Sequence, residues 1–210
     1  MRISIYLRLD GYIHRYMLLA HPIFQPIRVG REKTLMKVTR WFCVLGSIFV
    51  LLGCATRKTP ESLMFTFPPK DKETWVKGSE SEDRKQKTFL VEFVRKGETV
   101  KNWTELFSVF NLLLTESSPT REQLMDNLRA RMQQRCPNVE WKLIEQRSND
   151  LLYEWRITKC APHPDQHEIA RIVDGNSNRF KISYTAKVTE LTETKRKQWT
   201  DILLRAEVKQ

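Results

Sequence analysis

Glycine is scarce in this 210-residue chain. There are seven, and beyond residue 54 only Gly78, Gly97 and Gly175. Neither GxGxxG nor GxxxxGK followed by Ser or Thr occurs. Phosphate cradles that need close backbone approach are therefore not signalled. GxSxG is missing too, and beyond residue 54 the histidines are only His163 and His167. Nucleophilic catalysis has no visible nucleophile–base set, so no catalytic residue is assigned and an envelope hydrolase ranks last. No cofactor is indicated. Long hydrophobic runs are also wanting. A spanning helix takes about 20 apolar residues, and the longest uncharged stretch here is the sixteen between Arg40 and Arg57.

The net charge of +11 is unevenly placed. Residues 1–53 hold eight Lys/Arg against two Asp/Glu, leaving 28 against 23 in the rest. A concentrated basic face, as nucleic-acid binding requires, is not indicated. The apolar fraction of 40% suits a globular protein.

From Met36 the chain reads MKVTRWFCVLGSIFVLLGC. Lys37 and Arg40 form a positive head, and Trp41–Leu52 is an apolar run of signal-peptide length. Leu51-Leu52-Gly53-Cys54 resembles the lipobox of bacterial lipoproteins, with Leu52 a mild departure. The resemblance implies cleavage after Gly53, diacylglycerol on the Cys54 sulfur and an acyl chain such as palmitate on the new amine. Two or more chains give stable membrane attachment, each buried methylene adding about 0.8 kcal/mol. Ala55 in place of Asp implies the outer membrane, with the protein facing the periplasm. An ordinary signal peptide or an uncleaved anchor is the plainer alternative. Residues 1–35 read as an upstream extension, with translation starting at Met36, or as a long n-region. Neither gives them a folded role.

Residues 54–87 read as a lipidated flexible tether, rich in Lys, Glu, Ser and Pro, with MFTFPP at 64–69 as its apolar patch. Such a coil spans roughly 30 Å. The domain is then expected at 88–208. FLVEFV (89–94) predicts a strand closed by Lys96-Gly97. WTELFSVFNLLL (103–114) leans to strand, with helix left open. Ser117–Thr120 starts a helix whose Leu124, Leu128, Met132 and Cys136 share one face, stopped by Pro137. VEWKLIEQ (139–146) and the half-buried LLYEWRIT (151–158) follow as strands. HEIARIV (167–173) and RFKISYTAKV (179–188) form a hairpin about Asp174-Gly175-Asn176. A helix over 192–208 presents Trp199, Ile202, Leu203 and Ala206. This order predicts an α+β domain, an antiparallel sheet of about six strands packed with two main helices.

ETVKNWTEL (98–106), the helix ending in Cys136, Cys160, HEIARI, SYTAKV (183–188) and the Trp199 helix look like a group of small proteobacterial exported proteins. Their fold is similar to the PsbP-like α/β sandwich. The resemblance covers 88–208 and implies a fold and an accessory or assembly role, not an activity.

Cys43 leaves with the signal peptide, so Cys136 and Cys160 remain as an even pair. In an oxidising compartment they are expected to form a disulfide. The alternative is zinc, held by Cys136, Cys160, His163 and His167 in a Cys-x2-His-x3-His spacing. His167 and Glu168 are neighbours in a strand and so point to opposite faces. Glu105, Glu168 and Arg171 read as a solvated strand face or, less simply, a groove. Trp103, Trp141, Trp155 and Trp199 read as core and core-edge aromatics, with a ligand platform as rival. Lys195-Arg196-Lys197 reads as the solvent face of the last helix, or a surface for anionic lipid. The function expected is a membrane-anchored accessory or binding module, not an enzyme, with an envelope protein or polymer as partner. The alternative is a periplasmic small-ligand or zinc-binding protein using the Cys160–His163–His167 region.

Overall fold

A computed structural model describes residues 3–5, 61–68 and 74–210. The signal peptide at 36–53, Cys43, Cys54, and residues 6–35 of the upstream segment lie outside the described residues. The elements are β1 (Ile3–Ile5), β2 (Ser62–Phe65), β3 (Trp75–Asp83), β4 (Thr88–Arg95), β5 (Glu105–Leu113), α1 (Arg121–Arg135), β6 (Glu140–Gln146), β7 (Asp150–Ile157), β8 (Gln166–Asp174), β9 (Asn178–Ala186), α2 (Glu193–Arg205) and β10 (Glu207–Lys209). Seven strands form one antiparallel sheet in the order β3-β4-β5-β9-β8-β7-β6. A second sheet, β1-β2-β10, is also antiparallel. The α+β class with two helices is as expected, and the main sheet carries one strand more than the six read from sequence.

The extra strand comes from the stretch expected to be tether. Composition made residues 54–87 look unable to bury surface, but alternation places their few apolar side chains inward. Leu63, Phe65, Phe67 and Trp75 are all buried. Phe67 stacks on Trp75 at 5.2 Å, and Phe65 meets Phe107 at 4.8 Å. Glu61 is buried as well, and its carboxylate accepts the Asn176, Ser177 and Asn178 amides at 2.6, 3.0 and 2.9 Å. Burial alone would raise its pKa, but these amides hold it below the ordinary carboxylate value. A Cβ on Gly175 would collide with the Glu61 carboxylate, so a side chain there would have to displace that carboxylate from its three amides. The folded unit therefore reaches upstream to Glu61. Ile3–Ile5 adds a strand to β2, a folded role that the sequence did not suggest for residues 1–35.

Period-two alternation divides the main sheet into two apolar faces. The larger cluster joins β2, β4, β5, β8, β9 and α2, with Trp199 and Tyr184 stacked at 4.1 Å in its centre. The smaller joins Tyr153, Trp155, Ile157, Ala170 and Ile172 to Leu124, Met125 and Met132 of α1. β7 buries its apolar odd face as expected, where α1 covers Tyr153 and Trp155, and its even face is buried at Asp150 and Leu152 but only partly at Glu154 and Arg156.

Thr120 caps α1 with Gln123 in a reciprocal capping box. No α1 residue is buried; only Cys136, at its C-cap, is sunk in the cluster. α2 stops at Arg205, short of the expected 208, because Ala206 leaves helical geometry and Glu207–Lys209 pairs with β2. Arg171 Nη1 caps this end by donating to the Leu203 and Ala206 carbonyls at 2.9 and 2.8 Å. Asp150 fixes Arg171 in turn, accepting from Nε at 2.9 Å.

Candidate functional site

The side chains that sequence reading singled out do not converge on one place. Cys136 and Cys160 are joined as a disulfide with Cα atoms 5.6 Å apart, tying the end of α1 to the loop after β7. His163 sits exposed in that loop. His167 lies on the opposite face of the sheet from the cystine, since it alternates with Glu168 and shares its face with Ile169. The zinc alternative is therefore not assembled: its thiols are bonded to each other, and the sheet separates them from His167. Among the described residues, no group of three or more His, Cys, Asp or Glu is placed to hold a metal.

Glu105, Glu168 and Arg171 are not a solvated strand face, nor do they line one groove. Glu105 accepts from Tyr184 Oη at 2.9 Å and Lys195 Nζ at 2.6 Å, and pairs with Arg95. Burial raises its pKa, and these three partners bring it below the usual value. Glu168 takes Trp155 Nε1 at 3.1 Å, Thr185 Oγ1 at 2.9 Å and Lys181 Nζ at 2.8 Å on the far face. Arg171 is the helix cap described above. Trp199 and Trp155 are core residues, Trp141 stacks on Tyr153 at 4.9 Å, and Lys187 lies over Trp103 at 4.6 Å. The Lys195-Arg196-Lys197 run is not a uniform solvent face, because Lys195 and Arg196 turn inward to carboxylates.

What the fold does assemble is a polar cleft of about 340 Å³ between β6, β7, β8 and the start of α2. At its floor, Glu154 of β7 accepts two hydrogen bonds from Arg196, each 2.7 Å. Parallel N–H···O bonds of this kind are the strong form of the ion pair. Burial pushes the Glu154 pKa up; the hydrogen bonds and charge of Arg196, with Lys142 nearby, more than offset it and hold the group ionised. His167, only 4% exposed, faces Glu154 with Nε2 at 3.5 Å. Its Nδ1 accepts the buried Leu191 amide at 3.0 Å. An accepting nitrogen carries no proton, so the ring is neutral with its proton on Nε2. Burial lowers the His167 pKa, and Glu154 opposes this without reversing it. At the mouth, Arg156 bridges Glu140 at 2.6 Å and Glu190 at 3.1 Å.

Sequence reading named His167, took Arg196 only as part of a basic solvent face or lipid surface, and missed Glu154 and Arg156. The pattern did hold a hint. In β7, Leu152, Glu154 and Arg156 occupy the even positions, one face of a strand whose odd positions are apolar. That two charges on this face meet His167 follows from the β7–β8 register, Glu154 opposite Ile169 and Arg156 opposite His167.

No family model and no curated protein matches the chain. Solved structures similar to it include a point mutant of protein Mog1 and the Ran-binding protein Mog1p of Saccharomyces cerevisiae. Each is 12% identical with a TM-score of 0.39, over 66% of this chain and 78% and 77% of theirs. A likeness this distant transfers no role.

Proposed function

We propose that the protein is a non-enzymatic binding or accessory module of the bacterial cell envelope, anchored by lipid on Cys54 at the outer membrane with a PsbP-like α+β domain facing the periplasm. The observation that carries this reading is the Cys136–Cys160 cystine. Such a bond persists where thiols are not kept reduced, and it accords with the export signal and lipobox ahead of it. Glu61 already belongs to the folded unit, so the tether shortens to residues 55–60. Seven Cα steps from Cys54 to Glu61 reach at most about 25 Å. The domain is thus held close to the headgroups, where it meets an envelope protein or polymer.

Intact mass of the native protein tests the reading. The expected species begins at Cys54 and so lacks β1, leaving β2 paired with β10 alone; it carries diacylglyceryl and acyl additions and has no free thiol at Cys136 or Cys160. An unmodified thiol at Cys54 still joined to Gly53 would remove the anchor and the compartment together.

A second reading is favoured by the cleft. Its paired guanidinium and carboxylate groups suit a small, polar ligand bearing charge of both signs rather than an apolar one. This moves the small-ligand alternative from the Cys160–His163–His167 region to Glu154, His167 and Arg196. Equilibrium dialysis against a panel of amino acids and short peptides checks it. Saturable binding lost in Arg196→Ala is the expected result, and no saturable binding would remove this reading.

A further inference from the structure

The segment between β9 and α2 is held over the cleft at very few points. Upstream, the Lys187 amide donates to the Thr104 carbonyl at 2.9 Å. Downstream, Thr192 caps α2. Between them, the described contacts are the Leu191 amide on His167 Nδ1, the Glu190–Arg156 ion pair and the buried Leu191 side chain. Both Glu190 and Leu191 line the cleft. The ion pair is largely exposed, so it contributes little. The backbone bond to His167 is the directional restraint.

That bond exists only while the ring is neutral. An imidazolium donates from both nitrogens. Protonation at Nδ1 sets two N–H groups against each other in a buried position, and no flip of the ring restores an acceptor. The freed amide must find water, which requires the segment to lift.

We propose that His167 is a proton-operated latch: its neutral ring pins Val188–Leu191 over the cleft through the Leu191 amide, and protonation releases that segment and opens the cleft. The groups that face it come from every packed element. Glu154 and Arg156 belong to β7, Glu140 and Lys142 to β6, Glu190 to the segment itself, and Glu193 and Arg196 to α2. The carboxylates favour the imidazolium, while burial and Arg156 resist it. Ionised Glu154 then offers the charged ring a partner once the segment has moved. The release stands on the His167 geometry alone; its meaning as control of access rests on reading the cleft as a binding site.

Amide hydrogen exchange of the full chain, corrected for intrinsic rates, at pH 7.5 and 5.5 tests this without any ligand. With an ordinary histidine pKa in the released state, protection of the Leu191 amide is expected to fall roughly five- to tenfold, while β8 and β9 stay unchanged. His167→Asn supplies a non-titrating oxygen near the Nδ1 position and should hold protection constant across the same range. Should that variant misfold, ring NMR of the wild type is the second measurement: its titration midpoint must coincide with the loss of protection. Constant wild-type protection, a parallel fall in His167→Asn, or a ring titration displaced from the exchange change would each overturn the latch. Ligand binding at the cleft is scored separately, so failure of that reading leaves this result interpretable.

Discussion

A chain beginning at residue 88 contains every strand and both helices that the sequence made legible. It lacks Leu63, Phe65, Phe67 and Trp75, at 0%, 3%, 2% and 7% exposure. Burying such side chains stabilises a fold by about 1.5–3 kcal/mol each, so roughly 6–12 kcal/mol leaves with them. The whole stability of a domain is about 5–15 kcal/mol. Truncation at 88 also uncovers Phe93, Phe107 and Trp199, against which Phe67 packs, and strips the Glu61 carboxylate from three turn amides, of which that of Asn178 is buried. Residues 59–210 should unfold cooperatively in urea, with near-UV circular dichroism and tryptophan fluorescence coincident. Residues 88–210 should show no cooperative transition and should bind a hydrophobic dye. Phe67→Ala and Trp75→Ala in the longer chain should each cost about 3–5 kcal/mol. If residues 88–210 unfold cooperatively with a loss under about 2 kcal/mol, the strands at 62–65 and 75–83 are appendages and the tether reading stands.

Replacing Cys136 and Cys160 together by Ser should cost about 3 kcal/mol by the loop-entropy model for a separation of 24 residues. That lowers the melting temperature by roughly 6–12 °C, checked by calorimetry with and without reductant; no change would mean that the cystine is absent or idle. Glu61→Gln removes a charged acceptor from three amides and should cost about 1–3 kcal/mol in urea unfolding. Gly175→Ala should cost a similar amount by displacing the same carboxylate, and the double variant should lose less than the sum. Stability should also fall on acidification in two windows. The lowered His167 pKa makes the unfolded chain bind the extra proton first, so stability drops as pH falls below 6.5. The lowered Glu61, Glu105 and Glu154 values give stability that is full above about 4.5 and is lost as pH falls through their folded values. Urea midpoints from pH 8 to 3 show both, and His167→Asn should flatten only the upper one.

The strands from 89 onward were legible because each alternates with a clear period and ends at a turn residue. Gly97, with φ of +90°, closes β4 where the sequence placed a turn. The helix starts were legible in Thr120 and Thr192, whose side chains cap them. The 62–65 and 75–83 strands were not. Their flanks are charged and proline-bearing, and four inward side chains decide their fate only once a partner surface exists. The cleft was half legible: His167 stood out by rarity, whereas Glu154 and Arg196 look like ordinary surface charges.

By itself, the sequence determined the local pieces: which stretches alternate, where helices begin, which cysteines are paired in number, and the greasy, basic amino-terminal pattern ending at Cys54. These are short-range properties, set by propensity and period. Only the tertiary structure decided which charges are buried together, because cross-strand register and the docking of α2 bring Glu154, His167 and Arg196 into reach. It also decided that Glu61 belongs to the core, since three amides 115 to 117 residues away define its site.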